Sequence, residues 1–241
     1  MRRRAAVLVA LAALSLLGGC DAPWSGDGDR IESARDFPPA DRPVAPTVST
    51  KWSTEEARDR VNEAEDVMTS ADVRPGMTVA DIGAGDGYYT VRLAQRVGPG
   101  GRVLAQDIIP RVIERLADRV ARERLDNVSL KLGAVDDPRL PANSFDRVFM
   151  VHMYHEIGEP YAFLWRLRPA LRAGGQVIVV DGDRPIADHG TPFRLLVCEF
   201  EAVGYKLVSY DDKAHAGGYL ARFVPVGKRP EPKAITVCKG A

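Results

Sequence analysis

The passage from Met77 to Val97 restricts most strongly how this chain can fold. Residues 77–82 read as a short buried strand, which breaks on Gly83-Ala84-Gly85-Asp86-Gly87, and residues 89–97 then carry a helical pattern. A strand that turns on glycines directly into a helix suits a parallel sheet, because neighbouring parallel strands need a crossover connection. The alternation continues. Strands are expected at 102–106 (ending on Asp107), 128–132, 145–151 and 176–180, with helices at 111–124, 161–171 and 192–203. Ser53-Thr54-Glu55-Glu56 is a capping box, and its helix should run to about Ser70. Residues 205–210 and 219–224 close the domain as strands, the pair expected antiparallel. The fold class is therefore α/β, a doubly wound sheet with helices on both faces. Ligands of such sheets sit outside the strand carboxyl ends at the topological switch point. The end of the first strand is where a site should be sought.

Glycines at that turn permit unusual backbone angles and let a ligand approach the main chain, and the following helix offers unpaired N–H groups. A dinucleotide fingerprint needs Gly-x-Gly-x-x-Gly, but counting from Gly83 its third glycine is Tyr88. Asp81 also places an acid where a pyrophosphate would be repelled. A dehydrogenase is thus the weakest reading. Asp81-Ile82-Gly83-Ala84-Gly85-Asp86-Gly87 instead resembles motif I of the class I S-adenosylmethionine-dependent methyltransferases. Further segments resemble that family: Leu140 to Phe149, Leu167 to Gly175, and Glu201 to Tyr205.

The resemblance implies a Rossmann-like sheet of seven strands, the last antiparallel, and S-adenosylmethionine as cofactor. It implies a loop of Asp81, Gly83, Ala84, Gly85 and Gly87 facing the methionyl portion, with Asp107 accepting both ribose hydroxyls. The acid that meets the adenine amino group in many relatives would fall near Ala134; Asp136 or Asp137 could replace it. Val151-His152-Met153-Tyr154-His155-Glu156 follows the fourth strand, at the end expected to face the transferable methyl. His155 is the candidate general base, Glu156 its orienting group or a substrate contact, and His152 a pocket-wall contact. His189 and Arg194 receive no role. The acceptor is not readable.

The ends of the chain carry a different message. Arg2, Arg3 and Arg4 precede a thirteen-residue core over 5–17, shorter than the roughly 20 residues of a membrane span. The stretch ends Leu17-Gly18-Gly19-Cys20, which marks a signal peptide and resembles the bacterial lipoprotein box. That resemblance implies a lipid on Cys20 and a cell-envelope location, with Asp21 pointing to the inner membrane. Residues 21–50 hold five prolines and five aspartates, read as a semi-extended spacer with no packed element. The expected divisions are 1–19 lipoprotein signal peptide, 20–50 lipidated cysteine and linker, 51–227 methyltransferase-like domain and 228–241 tail.

Lys+Arg and Asp+Glu are both 33, so no basic excess draws the chain to nucleic acid. Cys20, Cys198 and Cys238 lack metal-ligand spacing, and no metal site is expected. Cys198, among apolar neighbours in a helix, reads as a buried thiol by default; in an exported protein it could pair with Cys238. An exported domain would sit apart from the compartment that makes S-adenosylmethionine. The alternatives are a tethered binding module keeping the fold without catalysis, or a cytoplasmic enzyme whose start lies elsewhere.

Overall fold

The computed structural model describes residues 30–47 and 54–240. The arginine-led start, Cys20, the beginning of the expected linker and Ser53 lie outside the described residues.

Seven strands form one sheet: β1 (Thr78–Ile82), β2 (Arg102–Asp107), β3 (Val128–Leu132), β4 (Phe145–Val151), β5 (Leu171–Asp181), β6 (Tyr205–Lys213) and β7 (Gly218–Pro225). Their order is β3-β2-β1-β4-β5-β7-β6. The first five run parallel to one another, and β7 runs antiparallel between β5 and β6. The Rossmann-like sheet with an antiparallel last strand is as expected. The order reverses between β1 and β4, so the carboxyl end of β1 lies at the switch point.

The helices are α1 (Glu55–Arg60), α2 (Glu63–Ser70), α3 (Tyr88–Val97), α4 (Pro110–Arg122), α5 (Pro160–Leu167) and α6 (Phe193–Ala202). Strand β4 shows how they cover both faces. Val148 and Met150 join a core with Tyr161 and Leu164 of α5 and Phe200 of α6, whereas Phe149 joins Val67 of α2 and Leu93 of α3. Alternate side chains of one strand point to opposite faces. Each face is thereby sealed by a different set of helices.

The expected helix from residue 53 to 70 is two helices. Asn62 takes φ 55°, a left-handed conformation that its short polar side chain tolerates. The break turns Glu63 back onto α1, where Arg58 meets it at 2.6 Å. Thr54 is the observed N-cap and accepts the Ala57 N–H.

A second departure concerns the proline-rich segment. Residues 30–47 pack on the body instead of standing away from it. Ala34, Phe37 and Ala45 are buried, with a 3₁₀ turn over Glu32–Ala34. Arg30 reaches Glu159, Arg42 reaches the fully buried Glu199 at 2.7 Å, and the Ala45 N–H donates to the His155 carbonyl. Few apolar groups suffice because arginine pairs supply the attachment. The tail is docked as well: Cys238 is buried and bonded to Cys198. Cys198 itself lies on the exposed side of α6, contrary to the default of a buried thiol. No helix among the described residues is long and apolar enough to cross a membrane.

Candidate active site

A cavity of about 720 Å³ opens at the carboxyl ends of β1, β2 and β4, where the parallel-sheet argument placed it. The glycine loop forms one wall. Gly83, Gly85 and Gly87 have φ of 67°, 54° and 91°, a region that L side chains rarely adopt. Their surroundings differ. A Cβ on Gly83 would meet Met153 Cγ at 3.0 Å, and one on Gly87 would meet Leu116 at 2.5 Å. One on Gly85 would find only the Gly83 carbonyl, at 4.0 Å. Gly87 therefore lets α4 close on the loop, and Gly85 leaves its inner surface open to a ligand. Ala84 packs on Ala105 and Leu116, and its N–H donates to the Gln106 carbonyl.

Asp107 ends β2 and faces this wall. One carboxylate oxygen accepts the Gly85 N–H at 3.1 Å and the other accepts the Ile109 N–H at 3.0 Å. Each oxygen has a further lone pair to offer. Beside it, Gln106 is buried, and its Nε2 has no hydrogen-bond partner among the described residues. Ile108 and Val135 line the same end and are 39% and 45% exposed.

Asp81 lies under the loop, buried, and accepts the Thr90 hydroxyl at 2.6 Å. Burial pushes its carboxyl up to about 6, against the hydrogen bond from Thr90. A cationic ligand at this end would favour its charged form. Across the cavity, Glu63 accepts from Arg58 and from the Tyr89 hydroxyl, and His152 Nε2 stands 3.5 Å away. Burial raises Glu63, yet the His152 and Arg58 contacts outweigh it and hold the carboxyl at about 2. Arg58 also lies over the Tyr88 ring at 3.8 Å, so both tyrosines brace α1 and α3.

His155 sits at the far end, 2% exposed. Its Nδ1 is 3.0 and 3.1 Å from the two oxygens of Asp181, the last residue of β5. Asp181 is fully buried and also accepts the Gly182 N–H and the Thr191 hydroxyl. A carboxylate partner fixes the proton on Nδ1, which leaves the lone pair on Nε2. His189 approaches edge-on, ring centroids 5.5 Å apart, and Glu156 completes the group. His152 and His189 both have positive φ, 54° and 55°, a strained backbone of the kind that collects at functional sites.

The fold thus brings Asp81, Gly83, Ala84, Gly85, Asp107, His152, His155 and Glu156 to one cavity. Asp136 does not join them. It is buried away from the lining, its carboxylate taken by Arg166 and by the Ser33 hydroxyl. An ion pair with α5 and the packed N-terminal segment explains its position, and the adenine contact expected of it is withdrawn. Two residues that the sequence reading left out, Asp181 and His189, border His155. The acid at the end of the fifth strand was the available signal, since strand carboxyl ends face the ligand.

Comparison with known proteins agrees with this geometry. Residues 79–175 match the family described as methyltransferase domain. The matched segment runs from β1 into β5 and includes the loop, Asp107 and His155. Among curated relatives, nocamycin O-methyltransferase of Saccharothrix syringae is 40% identical over 85 residues, 35% of this chain and 30% of that protein. Protein-L-isoaspartate O-methyltransferase of Methanothrix thermoacetophila is 32% identical over 111 residues, 46% of this chain and 50% of that protein. The chain thus spans half or less of these relatives' length. A solved methyltransferase from Aquifex aeolicus superposes with TM-score 0.63 at 24% identity, covering 69% of this chain and 90% of that one. The fold alone does not name the reaction, since the [4+2]-cyclase SpnF superposes at 0.59 with 18% identity, over 81% of this chain and 91% of its own.

Proposed function

We propose that the chain is an S-adenosylmethionine-dependent methyltransferase, attached to a membrane through lipid on Cys20. The observation that carries the first part is the Asp107–Gly85 contact inside an open cavity. It places an anionic acceptor beside an accessible glycine main chain.

The residues fit the cofactor. Asp107 would take the ribose hydroxyls on its remaining lone pairs, Ile108 and Val135 would flank the adenine, and Asp81 would accept the proximity of the ammonium. When bound, the cofactor would supply an activated sulfonium methyl for transfer to an acceptor lone pair. His155 assists at the acceptor end. Asp181 holds its ring so that Nε2 can take the acceptor's proton, and such help is typically worth 10²- to 10⁴-fold. Glu156 and His152 complete that end as acceptor and wall contacts. Positioning supplies the rest.

The Cys198–Cys238 disulfide favours the exported reading, because such bonds persist in oxidising compartments. Calorimetry with S-adenosylmethionine, S-adenosylhomocysteine and NAD tests the cofactor reading. One-to-one binding of both sulfur ligands without NAD is expected. Absence of both overturns the methyltransferase and leaves a tethered binding module. Tight NAD binding would instead restore the dehydrogenase.

A further inference from the structure

We propose that His155, Glu156 and His189 form a binding site for a divalent transition-metal ion of the zinc type, with Asp181 as outer support. The reading departs from the sequence expectation of no metal, since residues 155 and 189 are brought together only by the fold.

Three observations carry it. One ligand atom from each of the three side chains lies within 4.8 Å of the others. Ligands about 2.1 Å from a tetrahedral ion stand roughly 3.4 Å apart, so modest turns of Glu156 and His189, both half-buried, close the set. Two imidazoles and one carboxylate suit a borderline divalent ion and leave a coordination position for a substrate.

Second, His155 has the partner that a ligating histidine uses. Metal-bound imidazoles commonly donate their other N–H to a carboxylate, which fixes tautomer and ring orientation. Asp181 does this through Nδ1. Among the described residues no lysine or arginine pairs with Asp181, although it is fully buried. Its partners are His155, the Thr191 hydroxyl and the Gly182 N–H, and a buried negative charge favours a positive one nearby. A divalent ion on the far side of the His155 ring would supply that charge.

Third, the segment carrying His189 is built to hold its position. The Thr191 N–H and the Arg184 N–H both donate to the Gly182 carbonyl, and the Thr191 hydroxyl donates to Asp181. The Arg184 guanidinium donates to the carbonyls of Asp188 and His189, which directs its charge at the main chain. His189 thereby acquires its strained backbone and stays over His155.

The proposal deepens the methyltransferase reading by giving the acceptor end a cation, and it rests on that reading only for this consequence. With the ion in place His155 would ligate it, so the proton-accepting role proposed above would belong to the metal-free protein alone. An acceptor hydroxyl or thiol would coordinate the ion and lose its proton to water more readily. Acceptors with a heteroatom able to ligate a metal are then favoured.

The test uses the full-length chain in detergent, without a polyhistidine tag, stripped with chelator and titrated with Zn²⁺ against a chromophoric competitor. One equivalent should bind. Co²⁺ should give visible absorption of a low-coordinate nitrogen and oxygen site. His189→Ala and Glu156→Gln should each weaken binding at least tenfold, and Asp181→Asn by 10- to 100-fold. Thermal midpoints identify any variant that fails to fold, and the two half-buried positions keep the test valid if Asp181→Asn does. Less than one equivalent, affinity unchanged in folded His189→Ala and Glu156→Gln, or loss on His215→Ala instead, overturns the site. Calorimetry with S-adenosylhomocysteine on the stripped protein separates the two readings: cofactor binding without zinc binding defeats only the metal, and the converse defeats only the methyltransferase.

Discussion

The carboxylate of Asp107 holds the Gly85 N–H at 3.1 Å, so the tip of the glycine loop is fastened to the end of β2 by the group placed to receive a ribose. Asp107→Ala removes both functions. We expect S-adenosylhomocysteine affinity to fall by roughly 2–4 kcal/mol, or thirty- to a thousand-fold. Asp107→Asn keeps an acceptor oxygen for the loop and should lose less. Calorimetry that finds wild-type affinity in Asp107→Ala would remove the residue from the site.

Asp81 gives a pH signature. The unfolded chain releases this proton near 3.8 and the folded chain near 6. Its contribution to stability is therefore complete below 3.8 and is lost as pH rises through 6. The interval corresponds to roughly 3 kcal/mol. Asp81→Asn can still accept the Thr90 hydroxyl but cannot ionise. Its thermal midpoint should exceed that of wild type at pH 8, and the gap should close towards pH 4. The same variant should bind S-adenosylhomocysteine more weakly at pH 8, because the ammonium loses its anion. A gap that widens on acidification would contradict this account.

The Cys198–Cys238 bond closes a loop with a sequence separation of 40. The chain-entropy relation assigns such a loop about 4 kcal/mol. Cys238→Ser, or reduction under denaturant titration, should lower unfolding free energy by an amount of that order. Because Cys238 packs with Ala45, Ile186 and Leu195, loosening should first appear as faster hydrogen exchange in α6 and the tail. Equal stability with and without reductant would show that the bridge contributes nothing.

The site and the sheet were legible to different extents. Strands β3 and β4 fall where local pattern put them, and so does the loop, because each is specified by adjacent residues. The packed segment 30–47 was not legible. Its hold comes from Arg30 on Glu159 and Arg42 on Glu199, partners 129 and 157 positions apart, with no periodicity to betray them. Asp136 shows the same limit in reverse: an acid near the right place was claimed by Arg166 of α5. The His155–Asp181 pair joins the turn after β4 to the end of β5, and only the sheet order makes them neighbours.

Cys20→Ser should shift the protein from the membrane fraction to the soluble one, or leave an unprocessed precursor visible by mass. A wild-type chain found soluble, full-length and unmodified would refute the anchor.

The attachment of Arg30 to Glu159 changes what such an anchor would do. A thirty-residue spacer from Cys20 would let the body wander about a hundred ångströms from the bilayer. With the chain pinned at Arg30, ten residues are left, a leash of at most about 35 Å. The cavity would be confined to a thin shell over the lipid, where molecules that dwell at the membrane are concentrated and those that diffuse freely are not.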